Sequence, residues 1–347
     1  MRINPSKFPG IALPVRVRRP IGLLFGLAGL VLVAGLCLAA QAEAAPTPPA
    51  VPGAAYVGSD TCKGCHEEVA KKMGRTLHGK LLGTNLAKGE VQARGCEGCH
   101  GPGSKHMENP ADPAGNLRFG KKSPLSATDQ NAICLQCHSR GKQILWAGSP
   151  HESRDVTCVT CHATHAPHTE KAQLKLIKPE RFDSRGQTLD AAEYDLCGQC
   201  HQVKAMQFQR SSHMPMTARG EGGKMRCGSC HNPHGTTTEK LIAAVSVNES
   251  CTSCHAAKRG PFLWEHVPVL ESCLNCHQAH GSNLQSLLKV QAPRLCQQCH
   301  ANSGHNRSPY TPPGATGPVS RVYNRSCVNC HPAIHGSNHP SGIDFTR

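Results

Sequence analysis

Residues 273–277 read C-L-N-C-H, with two thiols two residues apart followed directly by an imidazole. Each thiol at this spacing can form a thioether with one vinyl group of a haem, and the adjacent imidazole can then ligate the haem iron. The pattern C-x-x-C-H therefore predicts covalent attachment of haem c. It occurs ten times, at Cys62/Cys65/His66, Cys96/Cys99/His100, Cys134/Cys137/His138, Cys158/Cys161/His162, Cys197/Cys200/His201, Cys227/Cys230/His231, Cys251/Cys254/His255, Cys273/Cys276/His277, Cys296/Cys299/His300 and Cys327/Cys330/His331.

The ten motifs use 20 of the 21 cysteines, and the last one, Cys37, lies in a segment that we expect to be removed. Zinc sites also use C-x-x-C pairs, but zinc chemistry does not require a histidine after every second cysteine. Disulfide frameworks favour an even number of cysteines, but not one spacing repeated ten times. The sequence therefore predicts ten covalently attached haems c.

Further histidines recur in register with the motifs, which group into five pairs. The first motif of each pair is followed by a lone histidine 5 to 13 residues after its own histidine, and the second by a close histidine 3 to 6 residues on. Imidazole is a common sixth ligand of haem iron, so these ten histidines predict bis-histidine ligation. The lone histidines are His78, His151, His213, His266 and His305, and the close histidines are His106, His165, His234, His280 and His335.

Two histidines are left over, His168 and His339, and they compete with His165 and His335 respectively. His165 is favoured because its three-residue offset equals that of His280. The spacing does not fix which histidine serves which iron. We hypothesise an exchange within each unit, in which the close histidine ligates the first iron and the lone histidine the second.

The chain before the motifs divides in two. Residues 1–45 have a basic start, an apolar run over residues 21–40 and a plausible cleavage sequence, A-E-A, and we expect a signal peptide. An uncleaved anchor stays open, because the apolar run is just long enough to span a bilayer. Residues 46–57 are rich in proline and alanine and are interpreted as a linker.

Residues 58–347 are expected to form one decahaem domain of five two-haem units, at about 58–120, 121–180, 181–240, 241–290 and 291–347. With 34 glycines, 26 prolines and only 4% aromatic residues, we expect mostly loops and short α-helices and essentially no β-sheet. Short helices are predicted at residues 63–72 and 250–257. Repeats that contact mainly their neighbours build elongated bodies, so we expect an elongated repeat architecture.

The chain has a formal net charge of +15, which ordinarily raises the question of nucleic-acid binding. The haems would bring two propionates each, and their charge belongs in the same sum. We therefore interpret the excess of lysine and arginine as propionate partners and solvated surface, with no nucleic-acid partner.

Several phrases of the chain resemble one family, the MtrA/DmsE-type periplasmic decahaem cytochromes of metal-respiring bacteria. They are G-S-D-T-C at 58–62, H-G-P-G-S-K-H at 100–106, S-H-M at 212–214, F-L-W-E-H-V-P-V at 262–269 and H-G-S-N at 335–338. The resemblance implies a periplasmic protein that inserts into an outer-membrane β-barrel porin. It also implies bis-histidine haems, an outer-surface multihaem cytochrome as one partner and a periplasmic or inner-membrane cytochrome as the other.

Electron transfer across the outer membrane is accordingly the expected function, for extracellular metal reduction or Fe(II) oxidation. Bis-histidine iron keeps its ligands on reduction and has no open position for a substrate, so we expect an electron-transfer protein and not an enzyme. One alternative is a soluble periplasmic relay to a terminal reductase, such as a dimethyl sulfoxide reductase. A second is a multihaem reductase, although such enzymes usually keep an open haem and all ten motifs here end in histidine.

Overall fold

The computed structural model describes residues 48–83, 95–165, 174–175, 181–182, 188–189, 192–213, 225–300, 327–340 and 342–345. By its contacts the chain divides into Met1–Ala45 and Pro46–Arg347. The expected signal peptide lies outside the described residues, as do His168 and His305. None of the helices in the described ranges is long and apolar enough to span a bilayer.

Short helices joined by loops make up the described chain, which confirms the expected fold class. The α-helices, numbered α1 to α13, are Ser59–Cys65, Glu67–Gly74, Leu77–Gly83, Glu97–His100, Ser104–Glu108, Ala127–Leu135, Cys158–Cys161, Ala192–Gly198, Gln202–Gln207, Cys227–Cys230, Val247–Thr252, Val267–Glu271 and Arg294–Gln297. The 3-10 helices are Gly141–Gln143, Glu152–Arg154, Glu239–Leu241, Ala256–Lys258, Cys273–Asn275, Gln285–Leu287 and Cys327–Asn329.

The β-structure described is one pair of two-residue antiparallel strands, β1 (Arg181–Phe182) and β2 (Thr188–Leu189). Five isolated bridges join other segments, and none extends into a ladder within the described residues. Sheet therefore contributes little to holding this part of the chain together.

The two motifs of a unit differ in backbone conformation at their histidine. After a first motif the chain turns into another helix, and His66, at φ −115° and ψ 42°, separates α1 from α2. The single helix predicted over residues 63–72 is therefore two helices. After the second motifs that end at His162, His231 and His277 the chain continues in an extended conformation: His231 has φ −115° and ψ 142°, and bridges to Ile242. The bridges of His162 to Leu174 and of His277 to Leu288 repeat this arrangement.

A polar side chain shortly before the first motif binds the backbone N–H of the second motif in the same unit. The Asn131 amide oxygen accepts from Cys158 N at 2.8 Å, and its amide group donates to Val156 O at 3.0 Å. Equivalent bonds to the first cysteine of the second motif join Ser59 to Cys96 at 3.0 Å and Asn248 to Cys273 at 2.8 Å. These bonds fix the two motifs of a unit relative to each other.

Residues 51–57, which fall in the segment interpreted as a linker, pack into the first unit. Val51 is buried in a cluster with Leu117 and Ile133. The buried Glu97 carboxylate accepts from the backbone N–H groups of Val57 at 2.9 Å and Gly58 at 2.8 Å. Apolar burial and charge-assisted hydrogen bonds therefore hold this segment against the repeat that follows it.

Three of the units contact the unit before them through the glycine that follows their close histidine. Gly281 has φ +139°, and a Cβ there would lie far inside contact distance of the Gln207 carbonyl oxygen. Gly336 and Gly235 have φ +129° and +126° and are equally crowded, by Phe262 and by the Leu145 carbonyl. Neighbouring bridges join Ser211 to Ser282 and Trp264 to Ser337. The H-G pair of the sequence therefore marks a close approach between units, which only glycine permits.

Candidate haem-binding histidine pairs

Nine of the ten motif histidines each face one other imidazole among the described residues, with ring centroids 5.8–6.2 Å apart. The pairs are His66–His106, His100–His165, His138–His78, His162–His234, His201–His151, His231–His280, His255–His213, His277–His335 and His300–His266. The expected partner of the tenth, His331, is His305, which lies outside the described residues.

This spacing fits an iron atom between the rings. Two imidazole nitrogens, each about 2 Å from a metal, place their ring centroids about 6 Å apart once the ring radii are added. Each pair also has the two thiols of its own C-x-x-C beside it. Across the described ranges no three His, Cys, Asp or Glu side chains converge as a metal site would require, so the donors are arranged in twos.

The arrangement corrects the hypothesis of exchange within each unit. His280 faces His231 of the preceding unit, not His255 of its own, and His213 faces His255 of the following unit. In general, a close histidine reaches back to the second motif of the unit before, and a lone histidine reaches forward to the first motif of the unit after. Among the described pairs, His66–His106 alone lies within one unit.

These contacts decide one of the two competitions between histidines, the one between His335 and His339. His335, at a centroid distance of 6.2 Å, is the residue that faces His277. His339 instead accepts at its carbonyl oxygen from Trp264 Nε1 at 3.0 Å. His165 faces His100, while its competitor His168 lies outside the described residues.

Burial keeps several of these imidazoles neutral. Burial and the adjacent His162 lower the pKa of His234 to about 4. Burial, followed by nearby Lys204 and His231, lowers the pKa of His280 to about 4 as well. A neutral imidazole has the free nitrogen lone pair that a metal needs, so both rings are ready to ligate near neutral pH.

The attachment cysteines form a continuous series along the chain. Within a unit the first cysteines of the two motifs are close neighbours: Cys62 and Cys96, Cys134 and Cys158, Cys197 and Cys227, Cys251 and Cys273, and Cys296 and Cys327. Burial and the adjacent Cys273, for example, raise the pKa of Cys251 to about 11. Between units, Cys99 lies near Cys137, Cys161 near Cys200, Cys230 near Cys251 and Cys276 near Cys299. Neighbouring motifs in sequence are therefore neighbours in space.

Six of the twenty predicted attachment cysteines are exposed to solvent, a difference that the uniform spacing of the motifs did not predict. They are Cys65, Cys137, Cys200, Cys254, Cys299 and Cys330, and the other fourteen are half-buried. Five of the six are the second cysteine of a first motif, after which the chain turns away. Cys254 is an example, because the chain continues from His255 into the 3-10 helix Ala256–Lys258. Its thiol accepts from the hydroxyl of its own neighbour, Ser253, at 3.9 Å.

In second motifs a returning segment covers the equivalent position. The backbone N–H groups of Lys175, Ala243 and Lys289 donate to the carbonyls of Cys161, Cys230 and Cys276 at 2.8–2.9 Å. Cys330 is the exception. The segment that returns there is bonded to a later residue, because the Phe345 carbonyl accepts from the Ala333 N–H at 2.9 Å. The assignment of Cys254 and Cys330 to haem therefore rests on the motif spacing and not on burial.

Comparison with known proteins agrees with this geometry. The family described as a doubled CXXCH motif matches residues 213–260 and 266–305, and the NrfB-like family of c-type cytochromes matches residues 96–181. The multiheme cytochrome MtrA of Shewanella baltica (strain OS185) is 41% identical over 294 residues, which cover 82% of this chain and 80% of that protein. The chain belongs to the MtrA family. It is a multihaem c-type cytochrome that binds haem c through its C-x-x-C-H motifs and functions in electron transfer.

In this member of the MtrA family, the motif histidine of a second motif donates its Nδ1–H to a nearby backbone carbonyl. His231 donates to Lys240 O at 2.9 Å and His277 donates to Ser286 O at 2.7 Å. The backbone of both acceptor residues is in the left-handed region, at φ 56° and 55°, which is uncommon for residues other than glycine. His100 donates likewise to Leu117 O at 2.8 Å, and His331 to Asp344 O. A bond at Nδ1 turns Nε2 toward the metal and raises its basicity.

At first motifs a backbone carbonyl binds the ring that faces the motif histidine, and not the motif histidine itself. The first-motif histidines are exposed, and at three of them the facing lone histidine is the donor. His151 donates to Pro233 O at 2.8 Å, His266 to Ile334 O at 2.9 Å, and His213 to Ala279 O at the longer distance of 3.5 Å. Each acceptor directly precedes a close histidine. One short segment therefore supplies a ligand to one site and a hydrogen-bond acceptor to the next.

These acceptors could not be predicted from the sequence, because a backbone carbonyl leaves no mark in residue type. The sequence does contain a weak signal of the turns that carry two of these acceptors. The left-handed residues of E-K-L and Q-S-L follow His231 and His277 at the same offset of nine residues, so an alignment of the repeats could have found the turn.

Proposed function

We propose that all ten motifs carry haem c and that each iron is held between two histidines. Haem supplies an iron that gains and loses one electron, and the chain supplies its two axial ligands. The recurring ring separation supports nine assignments, and His331 with His305 are the two ligands that remain. In motif order the proposed pairs are His66/His106, His100/His165, His138/His78, His162/His234, His201/His151, His231/His280, His255/His213, His277/His335, His300/His266 and His331/His305.

The exposed thiols of Cys254 and Cys330 are part of this proposal. A thioether requires a thiol within reach of the vinyl group, and solvent on its other side does not prevent the bond. Mass spectrometry of haem-bearing peptides checks the two positions. We expect each peptide to carry one haem through two thioethers, and a peptide with an unmodified Cys254 or Cys330 would remove that residue from the attachment set.

The run of facing imidazole pairs is the observation that carries the proposal. Two histidines that remain in place in both oxidation states keep reorganisation small, which favours rapid electron transfer. They also occupy both axial positions, so the described pairs provide no place for a small substrate to bind iron. These features support electron conduction over catalysis.

The series of adjacent cysteines supports a spatial order of haems that follows the order of the motifs. Each attachment site then has one neighbour within its unit and one in the next unit. Electrons would pass stepwise along the chain from the site of His66 to the site of His331. Such a path suits a protein whose task is to carry electrons over a distance.

We place this conduit in the outer membrane, inside a β-barrel partner, after export to the periplasm. Membership of the MtrA family and the predicted signal peptide support this location. A surrounding barrel would separate the many polar loop groups from lipid, where unpaired backbone groups are costly. The expected partners are an outer-surface multihaem cytochrome and a periplasmic or inner-membrane cytochrome. The proposed role is extracellular electron transfer, in metal reduction or Fe(II) oxidation.

Detergent extraction of native outer membranes tests the location. The extract is separated by size exclusion, stained for haem and analysed by mass spectrometry. We expect the chain to elute with a β-barrel protein in a fixed ratio, and the same peak to have the absorption of low-spin haem c.

Two results would count against the proposal. A monomeric haem protein found only in the periplasmic extract would favour a soluble relay to a terminal reductase. A high-spin ferric signal that changes when nitrite or another small oxidant is added would favour a multihaem reductase.

A further inference from the structure

We infer that the site of His66 and His106 has a more positive reduction potential than the six described sites in which one ring donates to a backbone carbonyl, and so forms an electron sink at the amino-terminal end of the chain. The inference rests on the proposed bis-histidine ligation. It adds to that proposal a direction within the series of sites.

The first observation is an imidazole nitrogen without a partner. His106 Nδ1 is buried and has no hydrogen-bond partner among the residues that the structure describes. The ring lies on α5, and Gly115, which is itself buried, packs so closely on the His106 backbone that a Cβ there would be 3.1 Å from His106 N and Cα. The ring faces His66, and no protein acceptor among the described residues reaches its Nδ1.

The second observation concerns the facing ring. The His66 ring is exposed, and within the described residues neither of its nitrogens donates to a protein acceptor. Its pair therefore differs from six others, in each of which one ring donates to a backbone carbonyl. The donors in those six pairs are His100, His151, His213, His231, His266 and His277.

The effect on potential follows from the donor strength of imidazole. A hydrogen bond from Nδ1–H raises the basicity of Nε2 and favours the ferric state, and this second-shell bonding is one of the main controls of haem potential. A pair in which neither ring has such a bond to the protein is the weaker donor set. Its iron should therefore be reduced first as the solution potential falls.

One nearby charge acts in the opposite sense. The Glu97 carboxylate lies close to Cys62, and a negative charge near an iron lowers its potential. That carboxylate accepts from three backbone N–H groups, of Val57, Gly58 and Gly103, at 2.8–2.9 Å. These dipoles balance much of its charge, so we expect the missing carbonyl bond to dominate.

Difference titration of two variants of the holoprotein tests the inference. The potential of each haem is followed optically during a reductive titration of the unaltered protein, of His106→Met and of the control His335→Met. His335 is matched to His106, because both pairs have centroids 6.2 Å apart and near-parallel rings, at 11° and 16°. The control differs in that His277 donates to Ser286 O. Subtracting each variant from the unaltered protein gives the potential of the site that it changes.

We expect the component lost in His106→Met to lie at a more positive potential than the component lost in His335→Met. A His106 component at or below the His335 component would overturn the inference and leave the ligation intact. If His106→Met kept every bis-histidine component, the ligand assignment itself would fail. These two failures are therefore distinct.

If the His106→Met protein does not acquire its haems, a second variant is used, which removes a hydrogen-bond acceptor instead of a ligand. Ending the chain before residue 342 removes Asp344, whose carbonyl accepts from His331. One component should then move to a more positive potential. An unchanged titration would contradict the hydrogen-bond argument.

Discussion

The pair at the amino-terminal end and the pairs in the interior are built differently. His66 and His106 belong to one unit, whereas His231 and His280 come from two. The interior unit of residues 181–240 shows the consequence. Its two motif histidines face His151 and His280 of its neighbours, and its own lone and close histidines serve those neighbours.

This difference shows that the sequence repeat is not a self-contained structural unit. An interior repeat has neither of its own sites complete, and it completes one site on each side. Units in such an array are stabilised through nearest-neighbour terms. Among the described pairs only the one at the amino-terminal end is closed within a unit, and there the His106 ring has no carbonyl acceptor among the described residues.

The largest effect should come from replacing two histidines together and counting the bis-histidine irons that are lost. In His231→Met/His280→Met both changes fall on one facing pair, so we expect one such iron to be lost. In the control His255→Met/His280→Met they fall on two pairs, and two should be lost. Spin quantitation of the ferric holoprotein counts the bis-histidine irons. If the first variant lost two and the control lost one, the hypothesis of exchange within the unit would be correct.

Next in size is the effect of filling the close approach between units. Gly281→Ala places a methyl group against the Gln207 carbonyl at φ +139°. Overpacking of about 1–3 kcal/mol and backbone strain of about 1–2 kcal/mol should together lower the free energy of unfolding. The control is Gly120→Ala, at φ +100° with no atom within 4 Å, which retains the strain alone. Thermal unfolding measures both, and equal losses would show that the units do not meet at Gly281.

Much of the site could be predicted from residue type and spacing. The ten motifs and the register of ten further histidines are visible because ligation needs those side chains at those offsets. The pairing of rings was not visible, because offsets along a chain do not say whether His280 turns toward its own unit or toward the one before. That choice depends on the extended segment after His231 and on the glycine contact of Gly281, and both are tertiary features.

The packing of residues 51–57 escaped prediction for a similar reason. A stretch rich in proline and alanine resembles a tether, and one valine gives little sign of a core. Val51 is buried because Leu117 and Ile133, which are distant in sequence, meet it. The carbonyl acceptors at Lys240 and Ser286 were missed because backbone groups have no residue code.

A smaller loss is expected from the bonds within a unit. Asn131→Ala removes the acceptor of Cys158 N and the donor to Val156 O in a buried place, which should cost about 1–3 kcal/mol. Gln136→Ala, an exposed change just after the same helix, should cost less than about 0.5 kcal/mol. Thermal unfolding of the two holoproteins is the measurement. Similar values would mean that the bonds of Asn131 do not hold the two motifs together.

The smallest expected effect is spectroscopic, and it should be visible in the unaltered protein. Ring planes are near parallel, at 11–28°, in six described pairs, and near perpendicular, at 67–71°, in those of His138, His201 and His255. Iron between perpendicular imidazoles has a larger maximum g value than iron between parallel ones. The ferric protein should therefore show two classes of low-spin signal, with His213→Met reducing the large-g class and His280→Met the other. A single class would contradict the two geometries.

The central claim is that neighbouring units exchange ligands, and a high-resolution structure of the haem-loaded protein tests it most directly. We predict iron density between His231 and His280, with both Nε2 atoms about 2 Å from the metal. Iron between His255 and His280 would contradict the account.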